Sequence, residues 1–258
     1  MNIKEIIKYY GIKPKEKLGQ TFLVNESVLK REVEYAEISK HDTVLEIGCG
    51  LGSLTKFLVK YAKKVYAIEK DLELIKILKN NLKAENLEII HGDVLKIEFP
   101  KFDKVVSNIP YTISSPITFK ILKYDFKKAI LTYQKEFAER LIAKPGEKNY
   151  SRISVACSYY ARVKILEYLP PSVFYPKPKI TSAIVEIKKR KSPPFKIDEK
   201  KYFSLVKDLF IHKKKTVRKA LICSKRKKLV EALPDYILKR RVFSLSPEEI
   251  AEILKYEN

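Results

Sequence analysis

The fold of this chain is decided by one stretch, Thr43-Val44-Leu45-Glu46-Ile47-Gly48-Cys49-Gly50-Leu51-Gly52. Its first half is largely apolar and predicts a buried strand. Its second half holds three of the chain's 7 glycines within five residues, which indicates positive φ or close approach by a ligand. A helical pattern begins at Ser53, so the stretch predicts a strand, a glycine turn and a helix N-terminus, which together can cradle a nucleotide. The spacing G-x-G-x-G differs from the G-x-G-x-x-G of dinucleotide enzymes.

Three further predicted strands also end in polar residues. The strand Lys64–Glu69 ends in an acid that can bind ribose hydroxyls. The next strand leads into Asp93, which can accept a hydrogen bond from an adenine amine, and the fourth ends at Asn108. Strands that alternate with helices predict an α/β fold, a parallel sheet with ligands at its carboxyl edge. A tight turn without a ligand is the alternative for the glycine segment, and Glu69 favours a ligand site.

The segment Asn108-Ile109-Pro110-Tyr111 closes the fourth strand. Asn108 offers an amide oxygen as acceptor. Pro110 fixes φ and pushes Ile109 toward an extended conformation. An exocyclic amine on an aromatic ring can use these groups: its N–H bonds would go to Asn108 and a nearby backbone carbonyl, and its ring would stack on Tyr111. A strand end followed by a proline turn is the structural alternative.

The rest of the chain predicts a sheet edge and a second domain. Strands near 162–168 and 182–187 would form an antiparallel hairpin at the sheet edge, with a proline-rich turn between them. Residues 195–258 show helical periodicity without a glycine turn or strand pattern. We therefore expect a domain over 1–190 that contains the sheet and a small, basic, helical domain over 195–258.

The charge of the chain indicates a polyanionic partner. The net charge is +22 and the isoelectric point is near 9.6. Residues 188–228 hold 17 Lys or Arg against 3 Asp or Glu, and the densest runs are 213–215 and 225–228. A solvated face is the usual alternative for a charge run. The concentration in one region favours contact with an RNA backbone.

Other features argue against several classes of protein. Three widely spaced cysteines predict a reducing compartment and no disulfide framework. The three histidines are equally scattered, so no metal site is predicted. No apolar run is long enough to cross a bilayer, and the N-terminus lacks a signal-peptide pattern. We therefore expect a cytoplasmic protein that needs neither a membrane nor a metal.

Four motifs in one order resemble a known family. They are Leu18-Gly19-Gln20-Thr21-Phe22-Leu23, Glu46-Ile47-Gly48-Cys49-Gly50, Asn108-Ile109-Pro110-Tyr111, and Phe174-x-Pro176-x-Pro178 with Ser182-Ala183. The chain is similar to the S-adenosylmethionine-dependent rRNA adenine dimethyltransferases, above all to the universal small-subunit rRNA adenine N6,N6-dimethyltransferase family, of archaeal type. The resemblance covers nearly the whole chain and implies a Rossmann-like methyltransferase sheet. It also implies that residues 1–190 are the S-adenosylmethionine-binding catalytic domain and that residues 195–258 bind rRNA or the ribosomal subunit.

The resemblance also implies roles for particular residues. S-adenosylmethionine would be the cofactor, and an adenine would have to leave its stack to reach the acceptor pocket. Thr21 stands where the family usually carries Asn or His. The catalytic residues around the target base would be Asn108, Tyr111 and Phe174. The cofactor-contacting residues would be Thr21, Leu23, Gly48, Gly50, Glu69, Asp93 and Asn108.

The implied activity is dimethylation of two adjacent adenosines near the 3′ end of small-subunit rRNA, by a monomer acting on the small ribosomal subunit. Two alternatives stay open. A large-subunit rRNA adenine methyltransferase of the antibiotic-resistance type shares the glycine and Asn-x-Pro-Tyr motifs. A ribosome-assembly or transcription factor could keep the fold without catalysis, although the intact Asn108–Tyr111 segment and Glu69 argue against it.

Overall fold

The computed structural model describes residues 3–15 and 19–257. The chain forms two compact units, Met1–Ala138 with Val163–Lys189, and Glu139–Arg162 with Arg190–Asn258. These units differ from the sequence-based boundaries, 1–190 and 195–258, because the second unit also takes a segment from the middle of the chain. Leu18, the first residue of the N-terminal motif, lies outside the described residues.

The described residues form nine strands. They are β1 (Phe22–Leu23), β2 (Thr43–Ile47), β3 (Lys64–Glu69), β4 (Leu87–His91), β5 (Lys104–Asn108), β6 (Lys128–Gln134), β7 (Ala161–Leu169), β8 (Phe174–Tyr175) and β9 (Ser182–Lys189). The larger sheet has the order β4-β3-β2-β5-β6-β9-β7. β2 to β6 pair in parallel, and β9 pairs with β6 antiparallel.

This sheet confirms the predicted fold class, a Rossmann-like sheet of parallel strands with an antiparallel edge. The strand order reverses between the neighbouring strands β2 and β5. Ligands of open α/β sheets bind outside the carboxyl ends of the strands at such a reversal. The glycine turn follows β2 and Asn108 ends β5, so both lie at this point.

Five of the helices in the described ranges lie wholly within the first unit. They are α1 (Ile3–Tyr9), α2 (Glu26–Ala36), α3 (Thr55–Tyr61), α4 (Leu72–Asn81) and α5 (Ser114–Ile121). Asn25 caps α2 by accepting a hydrogen bond from the amide of Val28 at 3.2 Å. Val33 on the buried face of α2 shares a core cluster with Val106 of β5 and Ile130 of β6. The helix is therefore packed on the two strands that end nearest the predicted acceptor site.

A second, two-stranded sheet joins distant parts of the first unit. β1 pairs antiparallel with β8, with Leu23 opposite Phe174. The amide of Val24 donates to the carbonyl of Val173 at 2.9 Å, which extends this pairing. The N-terminal motif and the proline-rich motif are thus brought side by side.

The second unit is helical. Its helices are α7 (Arg152–Tyr160), α8 (Glu199–Ile211), α9 (Val217–Cys223), α10 (Lys227–Ala232), α11 (Asp235–Leu238) and α12 (Pro247–Leu254), and the chain enters it through α6 (Lys135–Ile142). Tyr150 and Val155 belong to the same buried cluster as Tyr202 and Leu205 of α8. The Tyr150 hydroxyl also donates to the carbonyl of Leu245 at 3.0 Å. These contacts explain why the segment 139–162 belongs with the C-terminal helices.

None of the helices in the described ranges combines the length and apolar character that crossing a bilayer requires.

Candidate active site

The glycine turn after β2 has the backbone that its composition predicts. Gly48 and Gly50 have φ of 69° and 54°, in the left-handed region that favours glycine. A Cβ at Gly48 would lie 3.2 Å from Cγ of Pro110, and one at Gly50 would lie 3.1 Å from Cε1 of Phe22. The turn therefore packs tightly against two of the other predicted motifs. A side chain at either glycine would push the turn away from the motif that it contacts.

Glu69 at the end of β3 holds this turn in place. Its Oε2 accepts a hydrogen bond from the amide of Gly50 at 2.9 Å. Its Oε1 accepts from the amides of Lys70 and Asp71 at 2.8 and 2.9 Å. A carboxylate has about four lone-pair positions, so Oε2 keeps one free for a further donor such as a hydroxyl. The carboxylate can thus shape the turn and bind a ligand at once.

Asp93 follows β4 on the same sheet edge. Its Oδ1 accepts from the amide of Leu95 at 3.0 Å, and its Oδ2 lies 3.0 Å from Nζ of Lys70. The backbone amide of Leu95, and then Lys70, hold the pKa of Asp93 below its usual value. The side chain is therefore an anionic acceptor at neutral pH, as an amine-binding role requires.

Asn108 presents one unused acceptor. Its Nδ2 donates to Oε2 of Glu32 at 3.1 Å. Its Oδ1 is buried and accepts no hydrogen bond within the described part of the chain. Buried polar atoms are almost always paired, so an unpaired one needs an explanation. An amine donor arriving from a ligand would supply the missing partner.

Glu32 anchors the Asn108 amide from the buried face of α2. The residue is 1% exposed, and its Oε1 accepts from Oγ1 of Thr132 at 2.5 Å. Burial raises the pKa of Glu32 to about 7, against the hydrogen bonds from Thr132 and Asn108, which lower it. Both carboxyl oxygens are therefore engaged by donors that come from two different strands.

A second buried acid, Glu46, lies beside the glycine turn. Its Oε2 accepts from Oγ1 of Thr55 at 2.7 Å, and the residue is 3% exposed. Burial raises the pKa of Glu46 to about 8, and the nearby acids Glu32 and Glu69 also raise it. This carboxyl is mostly neutral at pH 7 and does not add a full charge to the site.

Two aromatic residues belong to the same site. The Tyr111 hydroxyl lies 2.6 Å from Oγ of the buried Ser182, which holds the ring in place. Burial raises the pKa of Tyr111, so the phenol stays neutral. Phe174 on β8 is 5% exposed, and among the described ring contacts it is not paired with Tyr111. The roles of both rings as walls for a base stay predictions.

All of the sequence-predicted site residues line one cavity of about 300 Å³ within the first unit. The structure therefore brings together residues that are up to about 150 positions apart in the chain. Their individual roles stay predictions. The predicted residues that line the cavity are Thr21, Leu23, Gly48, Gly50, Glu69, Asp93, Asn108, Tyr111 and Phe174.

Three functional candidates were missed by the sequence analysis. Thr132 lies near the carboxyl end of β6. The rule that these strands end in polar residues would have identified it. Ser182 lies in a quoted motif but had no role. Glu32 occupies the apolar face of α2 between Leu29 and Val33, and a charged residue on a buried face is the signal that could have drawn attention to it.

Solved structures with this fold include RNA methyltransferases. A dimethyladenosine transferase from Plasmodium falciparum superposes with a TM-score of 0.78, at 31% identity, over 90% of this chain and 96% of that chain. The 23S rRNA methyltransferase ErmE superposes with a TM-score of 0.69, at 28% identity, over 91% of this chain and 98% of that chain. Fold and cavity together thus define a Rossmann-like methyltransferase.

Sequence relatives narrow this class. The profile of the family described as "Ribosomal RNA adenine dimethylase" matches residues 11–257. A protein from Thermococcus sibiricus named "Probable ribosomal RNA small subunit methyltransferase A" is 49% identical, over 97% of this chain and 94% of its own length. A protein of the same name from Methanosphaera stadtmanae is 46% identical, over 98% and 96%. The chain belongs to the ribosomal RNA adenine dimethylase family, so it is an rRNA adenine dimethyltransferase.

Proposed function

We propose that this enzyme transfers methyl groups from S-adenosylmethionine to the N6 amines of two adjacent adenosines near the 3′ end of small-subunit rRNA. The product would be N6,N6-dimethyladenosine, formed during ribosome biogenesis. The observation that carries the proposal is the buried, unpaired Oδ1 of Asn108 in the cavity. The names of the archaeal relatives support the small subunit as the substrate.

The residues on one side of the cavity fit the proposed cofactor. The glycine turn lines the cavity without side chains at Gly48 and Gly50, and the free acceptor position on Glu69 suits a ribose hydroxyl. Asp93 is an anionic acceptor that suits an adenine amine. Thr21 and Leu23 line the same cavity. When bound, S-adenosylmethionine would supply an electrophilic methyl group on a sulfonium, and the chain itself would only have to position the acceptor.

The residues on the other side fit an adenine amine. The N6 lone pair is delocalised into the ring, which makes the free amine a poor nucleophile. Asn108 Oδ1 and a nearby backbone carbonyl would accept its two N–H bonds, which favours a more tetrahedral nitrogen and directs its lone pair. Tyr111 and Phe174 would hold the base by stacking. The proton then leaves to water, so the reaction depends on positioning and electrostatic preorganisation rather than on a strong base.

Replacing Glu69 with Ala is expected to weaken S-adenosylmethionine binding by about 1.5–3 kcal/mol, the value of typical charged hydrogen bonds. The thermal stability of the cofactor-free protein should fall as well, because the same carboxylate holds the amide of Gly50. Calorimetric titration and thermal unfolding measure the two effects separately. Glu88→Ala on β4, whose side chain is 51% exposed, is the control and should bind normally. Unchanged affinity in Glu69→Ala would remove the residue from the cofactor site.

The proposed substrate is tested by methyl transfer from labelled cofactor to isolated ribosomal subunits that lack the modification. The proposed function expects label in the small-subunit rRNA, at adenosines near its 3′ end. Label only in large-subunit rRNA would favour the resistance-type alternative. Absence of transfer to either subunit would favour a non-catalytic assembly factor.

The cavity is built from the first unit of a single chain, which supports action as a monomer.

We further propose that the second unit binds rRNA phosphates and that the first unit alone holds the cofactor. Lys225, Lys227 and Lys228 are exposed and available for such contacts. Arg226 in the same run is not: its side chain is 15% exposed, its Nε donates to Asp208 at 2.8 Å, and its guanidinium also pairs with Glu257. Arg226 is therefore structural, and a test of RNA binding should leave it unchanged.

Replacing Lys225, Lys227 and Lys228 with Ala is expected to weaken rRNA binding. It should also make that binding less sensitive to salt. Each lost phosphate contact should make the slope of log K against log salt shallower by roughly 0.7–0.9. Binding and the KM for rRNA are measured across a salt series, while cofactor affinity should stay unchanged.

A triple variant on the first unit, Lys76, Lys79 and Lys83 to Ala, is the control for this experiment. It also removes three positive charges, but from exposed positions on and just after α4. Equal effects in the two variants would show that only net charge matters. A wild-type salt slope in the 225–228 variant would mean that this run is a solvated face.

A further inference from the structure

We infer that Glu32 is a positioning residue that fixes which way the Asn108 carboxamide faces. This inference rests on the proposed function, because it assumes that Asn108 accepts a hydrogen bond from the target amine. Glu32 itself would not touch the substrate. It would act by keeping Nδ2 of Asn108 turned toward α2 and Oδ1 turned toward the cavity.

The geometry around Glu32 supports this role. Its two oxygens bind different partners: Oε2 accepts from Asn108 Nδ2 at 3.1 Å, and Oε1 accepts from Thr132 Oγ1 at 2.5 Å. Asn108 and Thr132 are register partners near the carboxyl ends of the parallel strands β5 and β6. The carboxylate therefore links the two strand ends that border the acceptor side of the cavity.

A carboxamide needs such an anchor because its two ends have nearly the same shape. With Oδ1 in the cavity, Asn108 accepts from an amine. With Nδ2 in the cavity, it would place a donor against the N–H bonds of that amine. In the structure Oε2 of Glu32 accepts from Nδ2, and the reversed orientation would set Oδ1 of Asn108 against that acceptor oxygen, which disfavours it. The unpaired Oδ1 is the consequence of this choice.

The packing of α2 does not require a charge at this position. Val28, Leu29, Val33 and Ala36 form the rest of its buried face. Burying a carboxylate is unfavourable, and an apolar side chain would pack there without that cost. The ion pair on the neighbouring residue, Arg31 with Glu167, uses a different carboxylate. The contacts with Asn108 and Thr132 are thus what distinguishes Glu32 from a leucine.

The direct test is Glu32→Gln, which keeps the size of the side chain but can also donate. An amide at position 32 can pair with Asn108 in either orientation, so the preference for the productive one is weakened. We expect kcat on small-subunit rRNA to fall by about 10- to 100-fold, as for other residues that orient a reacting group. The KM for rRNA and the Kd for S-adenosylmethionine should stay within about twofold of wild type, as expected when only the orientation of a reacting group changes.

Two further variants separate positioning from folding. Thr132→Val removes the donor to Oε1 and should lower kcat more than Thr132→Ser, which keeps a hydroxyl. Asp42→Asn alters another buried carboxylate, 4% exposed and 3.0 Å from Lys104, at the opposite end of β2. We expect this control to lose thermal stability and keep kcat. In an Asn108→Ala background, Glu32→Gln should cause no further loss of the residual single-turnover rate, because its effect acts through Asn108.

A measurement without catalysis distinguishes failure of this inference from failure of the proposed function. In protein labelled with 15N at asparagine, the Nδ2 protons of Asn108 should exchange slowly with solvent, and faster in Glu32→Leu. If wild type methylates rRNA and Glu32→Gln has wild-type kcat, the inference is wrong. A parallel loss of cofactor affinity and stability in Glu32→Gln would also overturn it. If wild type does not methylate small-subunit rRNA, the proposed function fails. Independently of activity, unaltered exchange of the Asn108 Nδ2 protons in Glu32→Leu would show that Glu32 does not hold the carboxamide, and the inference would be wrong.

Discussion

Asn108→Ala is expected to lower methyl transfer by about 10²- to 10³-fold, the usual effect of removing one preorganised polar group that acts on the reacting atom. The reason is geometric: Oδ1 is the buried side-chain acceptor in the described structure that has no partner, and it lies in the cavity. Without it, the amine loses a fixed acceptor and its lone pair is no longer directed. Single-turnover methylation of small-subunit rRNA measures this loss directly.

The fold should survive this change, since Asn108 contributes one hydrogen bond to Glu32 and Thr132 still binds that carboxyl. Cofactor binding should weaken only partly. Asn86→Ala is a matched control: its amide donates to the carbonyls of Val59 and Ala62 at 2.9 and 3.0 Å, away from the cavity. It should reduce stability by about 1 kcal/mol per lost bond and keep turnover. Normal turnover in Asn108→Ala would disprove the proposed mechanism.

Tyr111→Ala and Phe174→Ala are expected to impair turnover on RNA while sparing cofactor affinity. Stacking on an aromatic side chain contributes about 1–3 kcal/mol per base, and extruding an adenine costs a few kcal/mol, so losing one ring leaves the flipped base poorly held. The expected drop in kcat/KM for rRNA is roughly 5- to 150-fold for each variant on the basis of that range. Steady-state methylation and calorimetric titration of the cofactor are measured on the same preparations.

Conservative variants make this experiment interpretable. Tyr111→Phe keeps the ring and loses only the hydroxyl contact with Ser182, so most of the activity should remain. Phe174 is buried in the core next to Leu23, and Phe174→Ala is expected to lose about 3–5 kcal/mol of stability, whereas Phe174→Leu should lose less. A large loss of cofactor affinity in Tyr111→Ala, with none in Glu69→Ala, would reverse the assignment of the two sides of the cavity.

Apolar periodicity in the sequence did not predict which of the two units a helix belongs to. The pattern of residues 152–160 predicts a helix but does not say which core the helix joins. In the structure, Tyr159 of α7 packs against Phe195, Tyr202 and Phe203 through ring contacts of 5.2 to 5.9 Å. Segment 139–162 therefore belongs to the helical unit, although the strand that follows it belongs to the large sheet. Apolar spacing indicates that a face is buried, and the identity of the partner depends on the complete fold.

By itself, the sequence determined the order of the strands along the chain, the glycine turn and the set of polar residues at the strand ends. Those residues meet because parallel strands place all their carboxyl ends at one edge, so local pattern was sufficient to predict Gly48, Glu69, Asp93 and Asn108 in one site. Phe174 and the N-terminal motif were added by resemblance, and the pairing of β1 with β8 brings them to the same cavity.

Only the tertiary structure decided how those residues are held. Asn108 is bonded to a residue 76 positions away, that residue is bonded to Thr132 across 100 positions, and Tyr111 is bonded to Ser182 across 71. A hydrogen bond depends on distance and orientation in space to within a few tenths of an ångström, and periodicity carries no such information. The same holds for the elevated pKa of Glu32, which results from burial between α2 and the ends of β5 and β6.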